Sequence, residues 1–226
     1  MHNIQRKILK KLLYAESLTY SQMRPEGVES NHFAYHLEQL LHADIIRKYG
    51  KQYSLAPQGL AMVDRLSQEK MVDRLQPHIL TVIDITNKAG QTLLFRRSFQ
   101  PYIHRLGFPL GKTHLEETVG QAAARELEEK TGLTDIPLIQ RGIVYLHNTQ
   151  QGFTITKALC HVFQGSVSEA LPTTSSHRGS CEWVDTATLT AEDVMPGFFE
   201  TKALLEATQP GLFFAEIASE LPAPPA

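Results

Sequence analysis

The sequence predicts an α+β chain in two domains: a helical front part, then a strand-rich part built around one acidic helix. Three observations predict it. Apolar residues recur at helical spacing over the first 42 residues and then give way to two short basic segments about a Gly-Lys turn. From His78 onward Val, Ile, Leu and Phe gather in short runs between turn residues, except over Glu116 to Thr131, which has alanines, many glutamates and no proline. With 226 residues, 42% of them hydrophobic, the chain is long enough for a small domain joined to a medium one.

In the front part, Ile4, Ile8, Leu9, Leu12 and Leu13 form an apolar stripe flanked by Arg6, Lys7, Lys10 and Lys11, the pattern of a first amphipathic helix. A short second helix is expected near Thr19 to Arg24, closed by Pro25. Ser30 offers an N-cap for a third helix to His42, in which Phe33, Leu37, Leu40 and Leu41 point inward and Asn31, His32, Tyr35, His36 and Gln39 are left largely free. Ile45 to Tyr49 and Gln52 to Leu55 then read as strands about Gly50-Lys51. Three helices plus a β-hairpin wing make a winged helix, assigned to residues 1–76.

The run Asn-His-Phe-Ala-Tyr-His-Leu-Glu-Gln-Leu-Leu from Asn31, followed later by Lys-Gln-Tyr-Ser-Leu-Ala-Pro-Gln-Gly-Leu, resembles bacterial winged helix-turn-helix transcription regulators. In that family the third helix enters the major groove and the wing touches backbone or minor groove. The resemblance makes Asn31, His32, Tyr35 and His36 base-edge candidates and Arg47, Lys48 and Lys51 phosphate contacts on double-stranded DNA. It also brings the expectation of a homodimer. A protein-interaction module is the alternative use of the same fold. Charge agrees with DNA, since residues 1–70 hold ten Lys or Arg against seven Asp or Glu, and residues 71–226 hold twelve against seventeen.

Residues 57–75 read as one linking helix ended by Pro77. It contains Met-Val-Asp-Arg-Leu twice, at 62–66 and 71–75, and a spacing of nine puts the copies on opposite sides of a helical rod. Beyond it, His78 to Thr86 and Gln91 to Arg97 predict a hairpin about Asn-Lys-Ala-Gly. Further strands are expected over Tyr102 to Phe108, Ile136 to His147 and Phe153 to Gln164, and from Glu182. A closing helix is expected from Pro196 to Ala207. Residues 209–226 are assigned to a tail whose end, Leu-Pro-Ala-Pro-Pro-Ala, is too rich in proline to be other than loose.

The acidic helix carries the chemistry. Its apolar stripe, Gly120, Ala123, Ala124 and Leu127, lies beside a second stripe of Glu126, Glu129 and Lys130, and Gly132 is a good C-terminal stop. Converging carboxylates bind hard cations such as magnesium, which bridge protein oxygens to substrate phosphates. The bland alternative is a solvated acidic face. Gly111, Glu117, Arg125, Glu126, Leu127, Glu129, Gly132 and Leu133 match the pattern G-x5-E-x7-R-E-U-x-E-E-x-G-U, in which U is bulky and aliphatic, at eight fixed positions. On these residues the chain resembles the Nudix family of nucleoside-diphosphate-linked hydrolases, with Lys130 where the pattern has a metal-ligand Glu.

That resemblance implies a Nudix α/β/α sandwich over residues 77–208. It makes Glu126 and Glu129 the remaining metal ligands, weakened by Lys130, for Mg2+ if the domain is catalytic. With Arg125, which would orient the glutamates, they form the catalytic set. Gly111, Lys112, Lys130, Arg96, Arg97 and Arg105 are the phosphate and nucleotide candidates, and Phe99, Tyr102 and His104 are candidates to stack on a base. Glu169 and Glu182 are the two choices for a distal catalytic glutamate. An ammonium cannot acidify water as a metal does, so binding is expected to survive where turnover is weak.

Three readings follow. The first is a transcriptional regulator that binds an ADP-ribose-like compound and couples it to DNA; it is similar to Nudix-related regulators of NAD metabolism, which carry the two domains in the opposite order. The second is a magnesium-dependent pyrophosphohydrolase. The third is a scaffold using neither site. Two cysteines, Cys160 and Cys181, predict no disulfide framework and suit a reducing cytoplasm, and neither a membrane span nor a secretion signal is expected.

Overall fold

The structure, a computed structural model, describes residues 1–207 and 211–222. The chain divides after Gln76 into two compact units. In the first, α1 (Asn3–Leu12) is capped by His2 and Gln5, and β1 (Leu18–Thr19) and α2 (Tyr20–Met23) lead to α3 (Ser30–His42). Glu29 occupies the N-cap of α3 without a side-chain bond, so Ser30, expected as the cap, is the first helical residue instead. The strands β2 (Ile46–Tyr49) and β3 (Gln52–Leu55) form a hairpin, and β1 adds to β3 to give a sheet in the order β1-β3-β2. Ile8, Leu9 and Leu12 of α1 bury against Phe33, Leu37 and Leu40 of α3 and Ile46 of the hairpin, which ties the three helices to the sheet.

The linking helix is shorter than the sequence predicts. The helix α4 (Pro57–Arg65) begins with proline at its first turn, where a missing N–H costs nothing, but it stops at Arg65 rather than reaching residue 75. Leu66 bridges back to Asp73, and Met71 adopts a φ of 52°. The physical reason is burial. Leu66 and Met71 both enter the core, and the chain must reverse between them, leaving Leu75 fully exposed. The two Met-Val-Asp-Arg-Leu copies therefore do not face opposite sides of one rod.

The second unit is a sheet with a helix on each face. It contains β4 (His78–Asn87), β5 (Thr92–Arg97), β6 (Leu106–Gly107), β7 (Leu110–Lys112), α5 (Val119–Thr131), β8 (Ile139–Gln150), β9 (Phe153–Val167), β10 (Ser175–Ser176), β11 (Gly179–Val184), α6 (Phe198–Glu206) and β12 (Phe213–Glu220). The order is β10-β11-β5-β4-β9-β8-β12, with β6 on β5 and β7 on β4; β4 with β9 and β8 with β12 are parallel. Alternation along β4 divides the core. Leu80 and Val82 join Phe198 and Leu205 of α6, while Ile83 and Ile85 join Ala123 and Leu127 of α5. Asp84, fully buried on the α6 face, is held by Lys202 at 3.1 Å and by Gln164 at 3.1 Å.

Three expectations change here. The expected strand over Tyr102 to Phe108 reduces to Leu106–Gly107, because Tyr102 and His104 both take a φ of 67° in a loop closed by His104 N–H donating to Arg97. The acidic helix begins at Val119, after Thr118 and Gln121 form a reciprocal cap, so Glu116 and Glu117 lie in the preceding loop. Residues 209–226 are not a tail throughout: Phe213–Glu220 is a strand registered along β8, with Ile217 buried. Of the Leu221 to Ala226 end expected to be loose, Leu221 donates to the Thr149 carbonyl and the Pro222 carbonyl accepts from Gln150, and residues 223–226 lie outside the described residues. No helix among the described residues is long and apolar enough to cross a membrane.

Candidate functional site

Gly111 in β7 brings the loop before α5 against the helix. A Cβ there would stand 1.7 Å from Cδ of Glu126, so glycine is what lets that carboxylate lie on the β7 backbone. Gly111, expected beside the phosphates, lies against Glu126 and also lines the cavity described below. Arg125 gathers the acidic residues. Its Nε and Nη2 donate to both oxygens of Glu117 at 2.9 and 2.7 Å, its Nη1 donates to Glu126 at 2.8 Å and Glu129 at 3.3 Å, and Nη2 also donates to the Lys112 carbonyl at 2.9 Å. The bonds to the carboxylates, first those to Glu117, hold the guanidinium above its ordinary pKa. Arg125 in turn draws the Glu117 carboxyl from the usual 4.5 down to about 2.

Lys130 completes the ring. Its Nζ lies 3.2 Å from Oε2 of Glu126, the oxygen that Arg125 leaves, and 5.4 Å from the centre of the Phe95 ring. Glu126 is 6% exposed and has a cation on each oxygen. Glu129 remains exposed at the rim. As arranged, this donor set does not fit a divalent ion: the buried carboxylate already has two counter-charges. Among the described residues no three of His, Cys, Asp and Glu converge as a metal would require.

Beside this cluster lies a cavity of about 500 Å³. Its cations are Arg97, Lys112, Lys130 and Arg178, and its carboxylate is Glu126. Leu80, Val82, Leu110, Leu146 and Met195 supply apolar wall, with Phe99 and Tyr102 at one side. The size and mixture suit a small molecule with an apolar part and an anionic part. The Arg97 guanidinium lies 3.9 Å over the Phe99 ring, its pKa is lowered by burial, and its Nε has no hydrogen-bond partner among the described residues. Asn148, 2% exposed, donates through Nδ2 to the Tyr102 hydroxyl at 3.1 Å, which lies 2.8 Å from that of Thr156. Its Oδ1 has no partner among the described residues.

The structure brings together Gly111, Lys112, Arg125, Glu126, Lys130 and Arg97. It does not bring Arg96 or Arg105 to the cavity. Arg96 is engaged by Glu182 at 2.8 Å and by the His104 carbonyl, and Arg105 donates to the carbonyls of Ala191 and Val194. Glu182 is thus an ion-pair partner, and neither it, Glu169 nor His104 lines the cavity. Arg178, Asn148 and Thr156 were not singled out from sequence. A signal existed only for Asn148, a polar residue on the β8 face that carries Val144 and Leu146. Cys160 also lines the cavity, with burial pushing its thiol up to about 12, which leaves it inert.

In the first unit Asn31, His32 and Tyr35 are exposed on α3, and Arg47, Lys48 and Lys51 are exposed on the hairpin. His36 differs from its neighbours. Its ring stacks on His2 with centroids 4.0 Å apart, and its Nδ1 is buried, so it is engaged within the unit rather than free for a base edge. Burial, then the nearby His2 and His32, holds its pKa below the ordinary value.

Comparison with known proteins gives one family. The NUDIX domain matches residues 77–203. Among solved structures, the NUDIX domain of Shewanella oneidensis NrtR, complexed with ADP ribose, is 15% identical, with 58% of this chain and 88% of that chain covered and a TM-score of 0.50. A NUDIX hydrolase from Nitrosomonas europaea is 17% identical, covering 77% of this chain and 93% of its own, with a TM-score of 0.49. The mutator MutT protein from Bacillus halodurans is 19% identical, covering 62% and 89%, with a TM-score of 0.49. No curated protein matches the sequence.

Proposed function

Because the chain belongs to the NUDIX domain family, we propose that its second unit binds a nucleoside-diphosphate-linked compound and that the protein is a transcriptional regulator answering to that compound. One observation carries the ligand reading: four basic side chains share a cavity with an apolar wall and two aromatic rings. A diphosphate meets the bases, and a nucleoside meets the rings and the wall. Each charge-assisted hydrogen bond contributes about 1.5–3 kcal/mol, less at the exposed Lys112 and Arg178, and these bonds act together with burial of the nucleoside to offset the cost of association. ADP-ribose is the compound of first choice, since a protein of similar fold is complexed with it.

In this proposal the first unit is a winged helix-turn-helix bound to double-stranded DNA as a homodimer. Asn31, His32 and Tyr35, exposed on α3, support major-groove contact, and Arg47, Lys48 and Lys51 support contact with phosphates. Hydrolysis of the compound is the second reading, favoured by the Arg125 clamp on Glu117, Glu126 and Glu129. Engagement of both Glu126 oxygens favours binding over turnover.

The test is reciprocal titration of the full chain. Duplex DNA selected from a random pool is titrated with and without ADP-ribose, and ADP-ribose with and without duplex; the two affinities must change by one common factor. No duplex binding at low salt rejects the regulator. Tight ADP-ribose binding with no reciprocal effect leaves two uncoupled modules.

A further inference from the structure

We propose that the Lys130 ammonium is a built-in counter-ion, so that this domain holds a diphosphate without a divalent metal. The inference rests on the ligand reading above and concerns what neutralises the ligand. Lys130 sits one helical turn after Glu126, acid first, the favourable order on a helix. Two features fix its head: Oε2 of Glu126 at 3.2 Å and the Phe95 ring at 5.4 Å. Its side chain is 15% exposed, and the ammonium, with three N–H donors, pairs with Glu126 and faces the cavity that Lys130 lines, where it can meet an anion.

Charge decides between ammonium and metal. The lining holds Arg97, Lys112, Lys130 and Arg178 against the single carboxylate of Glu126. That excess of three positive charges more than offsets a diphosphate diester, which carries two negative charges. A divalent cation added to the same cavity would face four cations and find its one buried carboxylate paired on both oxygens. Two buried atoms also await a ligand: Nε of Arg97 and Oδ1 of Asn148, both without a partner among the described residues and both on residues lining this cavity.

The experiment measures binding of ADP-ribose and of inorganic pyrophosphate to the full chain by calorimetry, in EDTA and in magnesium, for the parent and three variants. The parent binds both in EDTA, and magnesium does not tighten either. Lys130→Arg keeps metal-free affinity within a few-fold, whereas Lys130→Met weakens it about 10- to 100-fold, the value of one charge-assisted contact. Lys130→Glu removes the counter-ion and adds a carboxylate, so its binding fails in EDTA and returns with magnesium. Thermal melts followed by tryptophan fluorescence establish that each variant is folded.

Binding by the parent only with magnesium overturns the proposal, as does full metal-free affinity in folded Lys130→Met. Either result leaves the nucleotide reading intact. Metal-free, Lys130-dependent binding of pyrophosphate with no binding of ADP-ribose upholds the counter-ion and overturns ADP-ribose as the ligand. Binding of neither overturns both.

Discussion

Gly111→Ala places a methyl group 1.7 Å from Cδ of Glu126 and 2.0 Å from each of its oxygens, where a normal contact needs more than 3 Å. The carboxylate must retreat by well over an ångström, which breaks its bonds to Arg125 at 2.8 Å and Lys130 at 3.2 Å. Overpacking of this kind costs about 1–3 kcal/mol. Opening a buried pair costs about 3–5 kcal/mol, an upper bound here because Arg125 keeps Glu117 and Glu129. A net loss of about 2–4 kcal/mol is expected, and at about 2–4 °C per kcal/mol for a unit of this size the melting temperature falls by roughly 5–15 °C. The chain has one tryptophan, Trp183 in β11, so a fluorescence melt of the full chain reports this unit rather than the first. If the clash with Glu126 is the cause, most of the loss disappears when Gly111→Ala is made in a Glu126→Ala background. A change within about 0.5 kcal/mol, or the same loss in both backgrounds, would refute the reasoning.

Other outcomes follow from the same geometry. Lys202→Met leaves Asp84 charged and fully buried, so urea unfolding should show a loss of about 3–5 kcal/mol, with much of it recovered in Asp84→Asn/Lys202→Met; equal losses would rule out an unpaired charge as the cause. Arg125 depresses the Glu117 pKa from 4.5 to about 2, so the stability from this pair is complete above about pH 4.5 and is lost as pH falls through 2. Glu117→Gln therefore melts below the parent at pH 6 by a margin that closes toward pH 2, and a pH-independent margin would count against the pair. Lys48→Ala with Lys51→Ala should weaken duplex binding across sequences and lower the salt slope by about 2, read by anisotropy; an unchanged slope removes the hairpin from the DNA surface.

Local signals made the existence and the end of α5 legible: alanines and glutamates without proline, Ala123 and Leu127 in the core, and Gly132 ending it with a φ of 75°. Its start and part of its packed stripe were not, since Thr118 and Gln121 cap it beyond Glu116, and Ala122 is buried while Gly120 and Ala124, expected in the stripe, are exposed. What the sequence concealed depends on distant partners. Arg96 and Arg97 are adjacent and chemically identical, yet Glu182, 86 positions away, neutralises the first while the second lines the cavity. Nothing near Arg178 marks it as lining that cavity, because the loop before β11 earns its position by pairing across to β5. The reversal after Arg65 was hidden for a similar reason: helical periodicity continues through residue 75, and only the core's demand for Met71 breaks it. Phe213 to Glu220 was lost among prolines, although its alternation is that of a strand.

The strand β12 closes the sheet edge next to a strand that lines the cavity. Ser219 stands in register with Asn148, which lines the cavity, and Leu221 N–H bonds the Thr149 carbonyl. During synthesis β8 emerges some seventy residues before its outer neighbour, and until that neighbour arrives a twelve-residue strand stands as a bare edge. An open edge of that length is a template for another strand, so a chain cut before β12 is exposed to edge-to-edge pairing with a second copy of itself.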